Sequence, residues 1–451
     1  MTTTEHARRA RLDPTRLGAN YHKLLSASTV SNLGDGLAVI AYPWLASAIT
    51  RNPMLIALVA VVQRLPWLLF SLPVGVVTDR HDRRLLMVGA NATRAVLTLA
   101  VAAVVLARQG SLPAPDAVAD AVVAASTDTA LYLVILLATL LLGIGEVLYD
   151  NSAQTFMPSI VHPDNLEKAN GRLWSVEQVA NTFAGPPLAA FLIAVAFSLP
   201  FFVNAATFAV SAILIASIRA QRPSAETAPR ERAGWRQELR VGVRWLWQHE
   251  LLRTLAIVLG LLNLLGTTAT ATFVLFGQEV LGTTPTQFAI LGTSGAVGGI
   301  VGGWTASAVA RRIGAGPALA TTLLGGGALT VAIGLMNWWP AVWLLLALYM
   351  YTAVLWNVIT VSFRQSVIPD ELLGRVNSVY RFFAWGMMPI GAALGGLLVV
   401  VGESIWSREV AQRLPWLVAG AATISLFAYA GPRLTTARFA EARERAAVSR
   451  G

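Results

Sequence analysis

Twelve runs of about 20 mostly apolar residues follow one another along this chain, each long enough to cross the hydrocarbon core of a bilayer as a helix. The runs are placed at roughly 24–49, 54–77, 85–107, 130–152, 171–197 and 200–219. After a break they resume at roughly 251–277, 286–310, 315–336, 341–363, 376–401 and 414–431. Backbone polar groups in lipid must be paired within the segment, so runs of this length can only be helices. The break between Ala220 and Glu250 leaves six runs on each side. The expected fold is therefore an all-α membrane protein with twelve transmembrane helices in two six-helix bundles. Its parts are an N-terminal tail (1–23), a first bundle (24–219), a linker (220–250), a second bundle (251–431) and a C-terminal tail (432–451).

Charge supports this division. Only 13% of the residues are charged and 55% are apolar, as suits a chain whose main solvent is lipid. The net charge of +10 could suggest a nucleic-acid partner. Most of the 34 Lys and Arg, however, fall in the two tails and in loops on one side of the expected spans. That asymmetry is an orientation signal: it puts both termini in the cytoplasm and removes nucleic acid from the expected partners. Arg8, Arg9, Arg11, Arg16 and Lys23 precede the first run, and no small-residue cleavage site closes it, so it reads as an uncleaved span. The chain has no cysteine, which excludes disulfides, thiolate metal sites and cysteine nucleophiles. Its five histidines include no pair at metal-ligand spacing. No metal, cofactor or enzymatic activity is expected.

The two halves also echo each other. MPSIVHPDNLEKANG after span 4 has a counterpart in RQSVIPDELLGRVNS after span 10, with Pro163, Asp164 and Leu166 answering Pro369, Asp370 and Leu372. Parallel repeats of this kind are how two matching bundles arise. In the linker, Trp235, Leu239, Val243 and Leu246 recur at helical spacing, with Arg236, Arg240 and Arg244 on another face. This predicts an amphipathic helix on the inner leaflet, either a structural tether or a regulatory element.

Between spans 2 and 3 lies Pro73–Arg84, PVGVVTDRHDRR. Gly75 allows close backbone approach. Asp79 sits where the helix leaves the membrane, and Arg80, Arg83 and Arg84 hold that end in the cytoplasm. The pattern resembles the span 2–3 loop of the major facilitator superfamily, except that Asp82 stands where a glycine is usual. The resemblance implies a gate in which Asp79 meets a helix N-terminus of the other half, a favourable placement for a carboxylate. In span 5, Gly185 and Pro186 in AGPPLAA resemble the Gly-Pro motif of drug antiporters, with alanines replacing glycines.

Few charged groups lie within the spans. Asp35 in span 1 is roughly 16 Å deep and Arg64 in span 2 is roughly 15 Å from the opposite face, at 1.5 Å per residue. Opposite charges at one depth on neighbouring spans are expected to pair, because an unpaired charge there costs about 2.5–3.5 kcal/mol on insertion scales. Protonation of Asp35 would loosen that pair and bias the conformation; a fixed structural ion pair fits the same residues. Arg94, Glu146, Asp150 and Glu177 are placed nearer the cytoplasm, as proton relay, inner gate or helix fastening. Spans 7 to 12 read as free of Asp and Glu, which puts any proton-coupling site in the first half. Asn263, Trp356, Asn357, Phe383 and Trp385, with Asp35, form the expected substrate-binding set, suited to a large, mainly apolar molecule; helix packing also accounts for most of them. Trp338, Trp339, Trp406 and Trp416 are expected to anchor the outer interface.

NLGDGLAVIAYPWL, the span 2–3 loop, GEVLYDNSAQTFMPSIV and FAGPPLAAFL together resemble the branch of the superfamily with enterobactin exporters and macrolide and tetracycline efflux proteins. The resemblance covers about Leu24 to Tyr429. It implies the major facilitator fold in a bacterial plasma membrane, a monomer, and a central cavity opened alternately to each side. It also implies proton-coupled efflux of an amphipathic small molecule, drug-like or secreted like a siderophore. The alternative is a uniporter or importer without proton coupling.

Overall fold

The computed structural model describes residues 17–115, 117–118, 127–162, 165–218 and 235–448. Among them there is no strand, and twelve helices are long and apolar enough to cross a membrane. In order these are α1 (Gly18–Ile49), α2 (Pro53–Arg80), α3 (Arg83–Ala107) and α4 (Thr129–Phe156). The fifth crossing is composite: α5 (Leu166–Gln178), a π-helical turn (Val179–Ala184) and α6 (Gly185–Val195). Next come α7 (Leu199–Ala216), the linker helix α8 (Trp235–Gln248) and α9 (Glu250–Thr270), whose crossing continues to Val280. The last are α10 (Pro285–Ile313), α11 (Ala315–Leu335), α12 (Trp339–Val367), α13 (Asp370–Glu403), α14 (Arg408–Ala430) and the short tail helix α15 (Thr436–Val448).

Several helices outrun the apolar stretches that announce them. α1 begins six residues before Leu24, and its polar first turns are held by side chains. The Tyr21 hydroxyl donates to the Ala169 carbonyl at 3.1 Å, and Lys23 Nζ donates to the Ser217 carbonyl at 2.7 Å. The last carbonyls of a helix have no partner within it. Arginines supply one here: Arg83 donates to the Thr155 carbonyl near the end of α4 at 2.9 Å. Arg84 Nε donates to Ile215 at the end of α7 at 3.3 Å, and its Nη2 donates to Ala216. Cations also suit the negative end of the helix dipole. Asp82 caps α3, accepting from the Arg84 amide at 2.9 Å and the Leu85 amide at 3.3 Å. The residue that departs from the family pattern therefore starts a helix.

Two compact units divide the chain. The described residues up to 50 and from 65 to 218 form the first; 51–64 and the residues from 235 onward form the second. In the first unit, α1 and the fifth crossing touch backbone to backbone. A Cβ on Gly36 would come 2.5 Å from the Asn181 carbonyl oxygen, and one on Gly185 would come 2.5 Å from Gly36 Cα. The π-helical turn ends at this contact, directly ahead of Gly185-Pro186-Pro187.

The second unit has a core around Leu255, Trp356, Phe363 and Tyr380, into which α8 inserts Leu246. The tail helix docks there too, with Phe439 against Phe363 at 4.5 Å between ring centres. On α8, Leu246 is fully buried while Val243, Arg240 and Arg244 are exposed, so the helix is partly anchored in protein. The side chains of Trp235, Arg236 and Leu239 lie outside the described residues.

A charged cluster secures the segment 51–64 in this unit. Arg51 donates to the Gln278 side chain at 2.5 Å and stands 3.5 Å from Glu279. Arg408 reaches Glu279 at 2.7 Å, Glu403 at 2.7 Å and the Arg51 carbonyl at 2.8 Å. Burial pulls the Arg51 guanidinium below its usual pKa, and the Glu279 carboxylate opposes that fall. The cluster corrects the expectation that spans 7 to 12 hold no acid. The crossings extend to Val280 and Glu403, and the arginines make these acidic ends tolerable in a helix.

Two measurements test this packing. A Val at Gly185 must push α1 away from the fifth crossing, and overpacking of this kind costs about 1–3 kcal/mol. Gly185→Val is expected to lower the thermal unfolding midpoint in detergent by several degrees, whereas Gly89→Ala, with open space around it, leaves the midpoint near the parent value. In the charged cluster, Arg408→Met and Glu279→Gln each destabilise. The double variant is expected to lose less than their sum, with a coupling of about 0.5–3 kcal/mol in a double-mutant cycle.

Candidate functional site

The first unit holds a buried ion pair near the middle of its helices. Asp35 of α1 pairs with Arg94 of α3 through Nη2. The Arg94 side chain is 2% exposed and that of Asp35 is 21% exposed, so one side of the carboxylate remains accessible. Nη1 of Arg94 donates to the Ser31 hydroxyl at 3.4 Å and to the Asn91 side-chain oxygen at 3.3 Å. Asn91 is fixed in turn by donating to Ser211 of α7 at 2.8 Å. The guanidinium carbon lies 3.9 Å from the centre of the Phe208 ring, a cation–π contact that stabilises the charge without neutralising it. Gly145 on α4 leaves room for the Arg94 stem, since a Cβ there would sit 2.8 Å from Arg94 Cγ.

Three further carboxyl groups lie within electrostatic range of Asp35. Glu146 and Asp150 of α4 and Glu177 of α5 are half-buried and close enough to exchange electrostatic influence within the group that includes Asp35. Tyr149, between the two acids of α4, shares a 3.1 Å hydrogen bond with Ser28. Four carboxyl groups thus share one electrostatic group, and Asp35 and Asp150 feel the Arg94 charge directly. Such an array responds strongly to any change in its proton count.

The expected partner of Asp35 was Arg64, and the structure corrects that. Arg64 is exposed and lies over the Trp385 ring at 6.0 Å, within the second unit. Helical rise fixes a residue's depth but not the direction its face points. Arg94 was placed too shallow: it stands eleven residues past Arg83, roughly 16 Å along α3, which is the depth reckoned for Asp35. Gly145, one residue before Glu146, was the overlooked sequence signal that a large side chain crosses α4 here.

The gating residues divide into those with described side chains and those without. Arg83 and Arg84 cap α4 and α7, and Gly185 and Pro186 are buried against α1. Gly75, Asp79 and Arg80 belong to α2, but their side chains lie outside the described residues, as does that of Arg381. Pro163 and Asp164 of the repeat lie outside them as well, and Asp370 and Leu372 belong to α13 with side chains that lie outside them.

In the second unit the expected substrate residues are dispersed. Trp356 is 3% exposed and belongs to the core. Asn263 and Asn357 donate their amides to their own helices, at Leu259 (3.0 Å) and Ala353 (3.1 Å). Phe383 stacks on Trp247 at 6.3 Å, and Trp385 carries Arg64. A groove of about 500 Å³ between α11 and α12, lined by Thr321, Leu329, Tyr351 and Leu355, shares no residue with this set. Of the expected interface tryptophans, Trp338 and Trp406 are exposed and Trp339 is half-exposed. Trp416 is buried against Phe273 and Phe276, because aromatic neighbours from the end of the seventh crossing cover it.

With this geometry established, the similarities to known proteins are informative. A profile of the Major Facilitator Superfamily matches residues 24–395. The chain is 23% identical over 419 residues to the multidrug efflux pump Tap of Mycolicibacterium fortuitum, spanning 89% of this chain and 94% of that protein. It is 25% identical over 428 residues to Tap of Mycobacterium tuberculosis, spanning 89% and 92%. Among solved structures it is similar to a bacterial homologue of the iron transporter ferroportin in an inward-facing state, with a TM-score of 0.64 at 16% identity over 90% of this chain and 98% of that one. It is also similar to the nucleoside transporter NupG, with a TM-score of 0.64 at 14% identity over 92% and 99%. At these identities the solved structures speak for the fold alone. The family match covers most of the twelve helices and the ion pair within them: the chain belongs to the Major Facilitator Superfamily and is a multi-pass transporter of the cell membrane.

Proposed function

We propose that this protein exports an amphipathic small molecule by alternating access, in exchange for protons entering from outside. The Asp35–Arg94 pair, with three further carboxyl groups beside it, is the observation that carries this reading. Two unit charges 4 Å apart attract by about 4 kcal/mol at an effective dielectric constant of 20. Protonating Asp35 removes that attraction, which is nearly three decades in an equilibrium constant. A proton on Asp35 can therefore favour one conformation over another, provided the pair differs between them. The accessible side of the Asp35 carboxylate gives protons or a substrate cation a way to reach it.

Orientation and substrate follow from separate arguments. The distribution of Lys and Arg puts both termini in the cytoplasm. Efflux is supported by two relatives that are multidrug efflux pumps. Drug-like compounds and secreted metabolites such as siderophores are the proposed substrates. Asn263, Asn357, Phe383 and Trp385 are the proposed contacts of the second unit, beside Asp35 in the first. Trp356 contributes by shaping the core behind them.

Inside-out vesicles with an acidic interior test the reading. Macrolides, tetracyclines, cationic dyes and catecholate siderophores are added in turn, and collapse of the gradient is recorded. The expectation is a collapse with at least one compound, reduced in Asp35→Asn vesicles to the level of vesicles lacking the protein. Arg94→Gln should also be uncoupled, because it frees the carboxylate from the bond that protonation is to break. Downhill movement of a compound without any gradient collapse would instead indicate a uniporter, and Asp35 would then be a structural partner of Arg94.

A further inference from the structure

Three buried polar atoms of α1 and α3, one of them in the ion pair itself, have no hydrogen-bond partner in the protein: Tyr42 Oη, Arg94 Nε and Thr98 Oγ1. Tyr42 is 5% exposed, Arg94 2% and Thr98 is fully buried. Ser152 Oγ is the one other such atom among the described residues of the first unit. An unpaired buried donor or acceptor costs about 1–3 kcal/mol, so natural proteins satisfy such groups with ordered water.

The helices set these residues on neighbouring turns beside α7. Tyr42 stands two turns past Asp35 on α1, toward Ile49, and Thr98 stands one turn past Arg94 on α3, toward Ala107. α7 runs alongside both. Its Phe208 underlies Arg94 at 3.9 Å, and its Phe201, two turns nearer the other end, meets the Tyr42 ring edge-on at 5.1 Å. The deep layer is therefore Asp35, Arg94 and Phe208, and the next layer is Tyr42 and Phe201, with Thr98 between the two. The Tyr42 hydroxyl is near enough to Arg94 to feel its charge. Trp44, 1% exposed, lies beyond Tyr42 on α1 and donates to the Pro115 carbonyl at 3.3 Å, covering this end.

We infer that Tyr42, Arg94 and Thr98 hold bound water between them, and that this hydrated site delivers protons to Asp35. A buried water needs two to four polar partners, and these three atoms supply a guanidinium donor and two hydroxyls that both donate and accept. In the orientation proposed above, the site is on the outer side of the ion pair. Glu146, Asp150 and Glu177 approach the pair from α4 and α5, whereas the described neighbours on the Tyr42 side are Phe201 and Trp44. A proton arriving from outside protonates the water, which passes one proton on to the Asp35 carboxylate and is left as neutral water again. The hydroxyls of Tyr42 and Thr98 orient the water and undergo no net change. This inference rests on the proton-coupled reading, but its test separates the two.

The first measurement is radiolytic hydroxyl labelling of the purified protein in H2(18)O, read residue by residue by mass spectrometry. Tyr21 serves as the dry reference, since it is fully buried and its hydroxyl is bonded to the Ala169 carbonyl. Tyr42 is expected to take up label about tenfold faster than Tyr21, because bound water sits against it. Thr98→Val should slow labelling at Tyr42 while unfolding close to the parent temperature. The second measurement is proton-driven flux, in which Tyr42→Phe and Thr98→Val are each expected to be slower, by up to about a hundredfold. Equal labelling of Tyr42 and Tyr21 overturns the inference, whatever the vesicle assay shows. Fast labelling with unchanged proton flux in both variants leaves a structural water and overturns the delivery role. If Asp35→Asn keeps its coupling, the proton goes to another group and delivery to Asp35 is overturned; if no compound collapses the gradient, the proton-coupled reading falls instead.

Discussion

A guanidinium and a carboxylate buried together in the interior of one six-helix unit set the terms for everything packed around them. Either ion alone would be very costly in that setting, and the pair is tolerable only if the remaining hydrogen-bonding capacity of both is used. The local sequence meets that demand in pieces. Ser31 and Asn91 accept from Arg94, Ser211 holds Asn91, Phe208 offers its ring face, and Gly145 leaves the space for the arginine stem. Four helices are thereby committed to one register around a single bond. The bond is held by charge, so the arrival or loss of one proton changes its strength more than any neighbouring contact.

The two units use charge differently. In the first, acids gather around Arg94 deep within the crossings. In the second, Glu279, Glu403, Arg51 and Arg408 lie at or next to helix ends, where water and arginines share the cost of burial. The cluster at the helix ends suits fastening, since its members close several bonds on one another. The cluster in the first unit has more acids than bases, and its pair leaves one side of a carboxylate accessible. It is the better candidate for work that consumes protons.

Much of this was legible in the sequence. Twelve apolar runs announced twelve helices, and the Arg83-Arg84 pair marked a loop whose cations turned out to cap two helices. Asp35 stood out as a charge at mid-depth, but its partner was misread. Apolar length gives depth, whereas choosing between Arg64 and Arg94 needs the rotation of each helix about its axis. Periodicity could not supply that rotation here, because helices apolar on nearly every face carry little pattern. Trp416 failed for a related reason, since a tryptophan can serve either a membrane interface or a core. Glu279 and Glu403 were missed because polar residues ended the apolar run before the helix ended. Neighbours that satisfy them appear only once the chain is folded.

Infrared difference spectroscopy on the protein in lipid, as the pH is lowered, addresses the central claim most directly. The account predicts a protonated-carboxyl band that grows with acidification and is missing from Asp35→Asn, together with a shift of the guanidinium bands that Arg94→Gln removes. A carboxyl band unchanged in Asp35→Asn, with the guanidinium bands insensitive to pH, would contradict it: the Asp35–Arg94 bond would then be a permanent brace, and proton sensing would lie elsewhere.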